Sequence, residues 1–238
     1  MHIELVLSPA LYPLRDTRSP HSTVAVDVLR ATTSICAAFQ AGAAEVVPLN
    51  SLEALPDFYA RGYTLAAERD GRKVPHAQCG NSPTEYLSMN LQGLRLAYST
   101  TNGTVSILSA TDSHRLFVGA FANLSALAQR LLLEDNDVVV LCSGWKGVPC
   151  IEDTLFAGAL VEKMSALRGD ISLLNDPAMM ALDLWKVAKD DLYSYCAKAT
   201  HVHRLQRLRY DHDIRFSLLL DTCPVVPLFD PLTASLHV

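Results

Sequence analysis

Hydrophobic positions along this chain change their spacing repeatedly, and each change marks an element. Short apolar runs over residues 3–7, 23–28, 45–49, 63–67, 94–99, 115–119 and 137–141 are bounded by turn residues and read as strands. Val24-Ala25-Val26 and Val138-Val139-Val140-Leu141 are apolar on consecutive positions, as strands covered on both faces should be. Helical spacing appears between them, over 32–41, from about 103, and over 123–133. This alternation predicts an α/β fold of three α/β/α layers around a largely parallel or mixed sheet. The last third reads differently: residues 152–167 and 176–220 are largely helical in pattern, ahead of a final apolar run at 225–229. No Gly, Pro or Ser-rich linker and no low-complexity tract divides the chain, so a single domain over 1–238 is expected.

With 238 residues, half of them apolar, the chain can bury a sizeable core. Its 20 basic and 25 acidic side chains give a net charge of −5, and no Lys or Arg run would track a phosphate backbone. Nucleic acid is therefore not an expected partner. Glu4 interrupts the opening apolar run, and no stretch reaches the ~18 apolar residues of a bilayer span, so neither export nor a membrane is expected and a cytoplasmic location is. Cysteines 36, 79, 142, 150, 196 and 223 lack the short paired spacing of zinc or dithiol motifs, and read as thiols filling the core.

The richest stretch is Asp27-Val28-Leu29-Arg30-Ala31-Thr32-Thr33, at the junction of a strand with a helix. Asp27 offers a hard oxygen ligand, Arg30 a planar fork of donors, and the N–H groups near Thr32 and Thr33 an anion site. The alternative is that Asp27 caps the helix and Arg30 lies on the surface. The pattern recurs: residues 94–99 run into Thr100-Thr101-Asn102-Gly103-Thr104, residues 137–141 into Cys142-Ser143-Gly144-Trp145-Lys146-Gly147, and residues 63–67 into Glu68. Parallel strands put their carboxyl ends along one sheet edge, so these polar ends predict one pocket. Thr100 to Gly103 reads either as an anion cradle or as an Asn-Gly turn with hydroxyl caps. Gly80-Asn81-Ser82-Pro83 reads as a turn and helix start.

Several phosphate-handling chemistries lack their residues. Position 148 is Val where a cysteine phosphatase after Cys142 needs Arg, position 29 is Leu where an aspartyl nucleophile at Asp27 needs a second Asp, and no Gly-Lys-Ser/Thr loop occurs. His201 and His203, two apart, would splay over different helix faces and make a poor metal pair.

Asp27 to Thr33, Glu68 with Gly71, Gly80 to Pro83, Thr100 to Thr104, and Glu152-Asp153-Thr154 with Ala157-Gly158 occur in an order that resembles the 2-phosphosulfolactate phosphatase family over nearly the whole chain. His201, Leu205, Asp213 and Val226-Pro227 match that pattern more loosely. The resemblance implies a Mg2+-dependent phosphatase that releases phosphate from 2-phospho-3-sulfolactate, a step toward coenzyme M, and a homodimer. It implies catalytic roles for Asp27, Arg30, Glu68 and Asp153, and substrate contacts from Asn81, Ser82, Thr100, Thr101, Asn102, Gly103, Ser143 and Lys146. Metal ligands would come from Asp27, Glu68, Glu152 and Asp153, although Mg2+ typically takes only one or two carboxylates. Glu152-Asp153 would equally suit the first turn of a helix. A phospho-metabolite binder without turnover is the alternative on the same fold. The chain departs from the family at Ala67, at His76-Ala77-Gln78 and at Arg209-Tyr210, near one rim of the inferred pocket. His76 is expected to reach the second acidic group of a substrate there, with Arg30 and Lys146 also available, and Arg30 to hold substrate more than fold.

Overall fold

The structure is a computed structural model describing residues 1–17 and 20–238. In chain order its strands are β1 (His2–Val6), β2 (His21–Val26), β3 (Glu45–Pro48), β4 (Thr64–Arg69), β5 (Arg72–Lys73), β6 (Arg95–Ser99), β7 (Arg115–Gly119), β8 (Asp137–Cys142), β9 (Ser172–Leu173), β10 (Leu228–Asp230) and β11 (Ser235–His237). The helices are α1 (Ala31–Gln40), α2 (Leu55–Ala60), α3 (Pro83–Ser88), α4 (Gly103–Ser109), α5 (Leu124–Glu134), α6 (Ile151–Leu167), α7 (Asp176–Ala188), α8 (Leu192–Cys196), α9 (Thr200–Arg207) and α10 (Asp211–Ser217).

Among the described residues one mixed sheet runs β5-β4-β6-β3-β11-β10-β7-β2-β8-β1-β9. Its centre shows why consecutive apolar positions were needed. In β2 and β8, Val24, Val26, Val138 and Val140 pack with α5, α6 and α7, while Ala25, Val139 and Leu141 face α1 on the other side. The three-layer α/β/α arrangement is thus present. Helix α6 is apolar nearly all round because it lies between α5 and α7, and Gly158 lets α7 approach it: a Cβ there would sit 2.1 Å from the Ala181 carbonyl oxygen. The six cysteines are free and buried, as expected of core fillers.

The sheet is two parallel blocks, β7-β2-β8-β1-β9 and β3-β6-β4, joined by the antiparallel hairpin β10-β11. The hairpin meets β7 through Leu228 and Phe117 and meets β3 through Leu236 and Val46. Because β10, β11 and β3 are each antiparallel to the preceding strand, the two blocks run in opposite senses along the ladder. A flat sheet would place their carboxyl ends on opposite edges. From β2 to β4 there are six strand-to-strand steps, and a usual twist of about 20–25° each turns the strands by roughly 120–150°. That rotation swings the end of β4 back toward the end of β2. The one-edge expectation from sequence therefore reaches the right meeting point through a simpler sheet than the one formed.

The chain also holds elements without a clear periodic signal: α2, the two-residue strands β5 and β9, and the division of residues 176–220 into α7, α8, α9 and α10.

Candidate active site

Asp27 follows β2 and is held by its neighbours. Its carbonyl oxygen accepts from the Thr32 N–H and the Thr32 hydroxyl, each at 2.9 Å, and its Oδ1 accepts from the Ala31 N–H at 3.3 Å. The carboxylate thus partly caps α1. Its other oxygen, Oδ2, faces Gly103 at the start of α4. A Cβ on Gly103 would lie 2.3 Å from the Ala31 Cβ and 2.9 Å from Asp27 Oδ2, so this glycine lets two helix starts close on the carboxylate. We expect Gly103→Ala to destabilise the protein by roughly 1–3 kcal/mol through overpacking. A denaturation midpoint equal to that of the parent would show that the helix starts separate freely.

Glu68 and Asp153 tie loops together. Glu68 accepts from the Gly71 N–H at 2.5 Å and the Thr101 N–H at 2.7 Å, one on each oxygen, joining the ends of β4 and β6. Asp153 does the same for β2 and β8, accepting from the Val28 N–H at 2.9 Å and the Gly144 N–H at 3.1 Å. Both carboxylates are buried with their oxygens engaged.

Arg30 is not on the surface. It is 3% exposed, donates to Asp213 Oδ2 at 2.6 Å and to the Gly71 carbonyl at 2.9 Å, and stacks 3.7 Å from the centre of the Tyr210 ring. Asp213 Oδ1 accepts from the hydroxyls of Ser82 and Thr84 at 2.7 and 2.6 Å. This network anchors α3 and α10 to the start of α1. Asp213 matches the family pattern only loosely, and Thr84 carries no local sequence signal of this role. Tyr210, noted as a departure from the family pattern, proves to be the platform under Arg30.

A third group joins α6 to α9. His201 Nδ1 lies 3.0 Å from Glu152 Oε1 and 4.0 Å from Cys150 Sγ. Glu152 Oε2 is buried without a hydrogen-bond partner. The acids at the start of α6 therefore do more than favour its positive end. Cys142 is buried in apolar surroundings that push its thiol up, which argues against a nucleophile.

These groups enclose a cavity of about 20 Å³ lined in part by Asp27, Arg30, Glu68, Asn81, His201 and Arg204. It has room for a water or an ion. A second cavity of about 150 Å³ shares Thr101 and Asn102 with the first and is also lined by Ser143, whose buried hydroxyl has no partner. Other expected substrate contacts lie elsewhere. The Thr100 hydroxyl accepts the Thr104 N–H at 3.2 Å, Ser82 serves Asp213, and Lys146 is largely exposed with its Nζ 3.4 Å from Asp70. His76 is exposed on the wall of a separate, apolar cavity of about 690 Å³, with Leu52, Leu55 and Tyr59. The expected reach of His76 into the polar pocket is not realised. Gln78 instead accepts the Leu65 N–H at 2.8 Å on the side of β4.

Electrostatically the pocket is overloaded with acid. Burial pushes the Asp27 carboxyl up to about 6, aided by the charges of Glu68 and Glu152 and opposed by His201 and the Ala31 N–H. Asp153 is also raised, first by burial and then by Asp27 and Glu152. Such carboxyls share protons unless a cation enters. Glu152 Oε2, which has no partner, and Asp27 Oδ2, which faces Gly103, are the hard oxygens that fit one, whereas Glu68 and Asp153 already serve backbone N–H groups.

The sequence model of 2-phosphosulpholactate phosphatase matches residues 7–231. The chain belongs to this family. Similar members include proteins named probable 2-phosphosulfolactate phosphatase from Parasynechococcus marenigrum, 38% identical over 88% of this chain and 89% of that one, and from Caldanaerobacter subterraneus, 32% identical over 87% and 86%. A protein of the same name from Microcystis aeruginosa is 32% identical over 96% of both chains. For a member of the 2-phosphosulpholactate phosphatase family, the match spans every segment of the pocket from Asp27 to Asp213.

Proposed function

We propose that the protein is a Mg2+-dependent phosphomonoesterase that hydrolyses 2-phospho-3-sulfolactate, or a closely similar phosphorylated 2-hydroxy acid, to the free hydroxy acid and phosphate. The observation that carries this reading is the buried carboxylate of Asp27 on the wall of a small polar cavity, with buried Glu152 against His201 of the same wall and a second cavity of about 150 Å³ sharing Thr101 and Asn102. It agrees with the names of the relatives. Asp27 and Glu152 would hold the cation, which neutralises the phosphoryl group and helps supply a nucleophile.

The chain's own residues do the remaining work. Glu68 and Asp153 fix the strand ends that carry Thr101 and Val28, so the pocket is set before substrate arrives. Arg204 brings a positive charge to the small cavity, which His201 also lines. Ser143 presents an unused hydroxyl to the larger cavity, suited to an anionic end of the acid. The reading carries with it the proposals of a cytoplasmic, single-domain homodimer serving coenzyme M synthesis.

Purified protein assayed for phosphate release with and without Mg2+, over several phosphorylated hydroxy acids, tests the class. Metal-stimulated release is expected, strongest with phosphosulfolactate. Failure with every substrate would overturn the reading, and tight binding of an analogue without hydrolysis would point to a binding protein. Because Mg2+ must displace a proton from Asp27, its apparent affinity should fall by up to about tenfold per pH unit below a pH of about 6. Mg2+ activation curves that coincide at pH values above and below that point would refute the ligand role of Asp27.

A further inference from the structure

We propose that Cys150, Glu152 and His201 form a binding site for a borderline-soft divalent cation of the Zn2+ class. The assignment rests on these three side chains and goes beyond the Mg2+ reading. Cys150 immediately precedes α6, Glu152 is the second residue of α6, and His201 is the second residue of α9. One donor atom from each lies within 4.8 Å of the others. All three are nine-tenths buried or more, at 9%, 1% and 8% exposure.

Two further observations point to a ligand. Glu152 Oε2 is buried with no partner, so the cluster is not satisfied internally. In addition the same imidazole nitrogen, Nδ1, faces both the thiol at 4.0 Å and the carboxylate at 3.0 Å. A nucleophile relay uses both ring nitrogens, one toward the nucleophile and one toward the acid. Three lone-pair donors converging from one side suit a cation instead. Tetrahedral zinc at ~2.3 Å from sulfur and ~2.1 Å from nitrogen and oxygen spaces S and N by about 3.6 Å and N and O by about 3.4 Å. The S to N separation of 4.0 Å and the N to O separation of 3.0 Å each lie within about half an ångström of these.

Sulfur and imidazole are the wrong donors for Mg2+, which takes oxygen, and the right ones for zinc or cobalt. Three protein donors also leave one position open, as in catalytic rather than structural zinc sites. On binding, the Cys150 thiol gives up its proton to solvent as the sulfur–metal bond forms.

Cobalt titration of the full chain, with Co2+ as the coloured stand-in, tests the site without reference to turnover. One equivalent is expected to produce a thiolate-to-cobalt charge-transfer band, removed by one equivalent of Zn2+ and unaffected by excess Mg2+. Cys150→Ser should abolish the band, Cys142→Ala should keep it, and His201→Gln should weaken Co2+ binding by roughly tenfold or more. Circular dichroism identifies any variant that fails to fold. Absence of the band in the folded parent, its survival in Cys150→Ser, or its loss to Mg2+ would each overturn the proposal, and none would bear on phosphate release.

Discussion

Asp27→Asn is expected to lower Mg2+-stimulated turnover by about a hundredfold and, in the same protein stripped of metal, to raise stability at neutral pH. The first effect follows from removing ligand charge: a few kcal/mol of transition-state neutralisation at about 1.4 kcal/mol per tenfold gives two decades. The second follows from the direction in which the fold moves this carboxyl. It is raised from 3.8 to about 6, so the ionised form is disfavoured in the native state relative to the unfolded chain. Its destabilisation is therefore fully present above a pH of about 6 and disappears as pH falls toward the unfolded value. A shift of about two units corresponds to roughly 3 kcal/mol, of which an uncharged isostere should recover roughly 1–3 kcal/mol. Opposite changes in turnover and in the chelated melting temperature would mark Asp27 as a group strained for function. Equal turnover in the variant would reduce it to a cap for α1.

The distribution of charge explains which parts of this site could be read in advance. Asp27 and Glu68 stand at the ends of apolar strands, where local pattern selects them, whereas Glu152 and Asp153 open a helix and stand out mainly through the resemblance to the family. Their individual duties depend on atoms that only the fold brings together. Glu68 finds the Thr101 N–H across 33 positions, and Asp153 finds the Val28 N–H across 125. Arg30 and Asp213 are 183 positions apart, a distance no spacing rule covers. The sheet shows the same division. Apolar runs announced the central strands, while the hairpin β10-β11, with three residues in each strand, is too short for period-two alternation to stand out. That hairpin reverses one block against the other, so the sheet order was hidden in the least patterned segment of the chain.

Arg30 illustrates the consequence most sharply, since its chemistry was legible and its partner was not. A guanidinium at a strand end suggested a grip on the substrate. In the fold both the guanidinium and the Asp213 carboxylate are only 2% exposed, and the arginine is bonded to Asp213, to the Gly71 carbonyl and to the Tyr210 face. Removing one partner of a buried pair leaves the other charge stranded, which typically costs about 3–5 kcal/mol. We therefore expect Arg30→Met to lower the melting temperature of the ligand-free protein by on the order of 10 °C, given about 2–4 °C per kcal/mol for a chain of this size. Arg30→Lys should fall between parent and Met, because an ammonium can keep the charge but not the fork or the stacking. Asp213→Asn adds a discriminating case. It strands the arginine beside Asp27 and Glu68, whose charges compensate it in part, so its loss should be smaller than that of Arg30→Met. Melting curves for the three variants without metal or substrate decide the matter. Parent-like stability in Arg30→Met, with a raised Michaelis constant alone, would return Arg30 to the substrate.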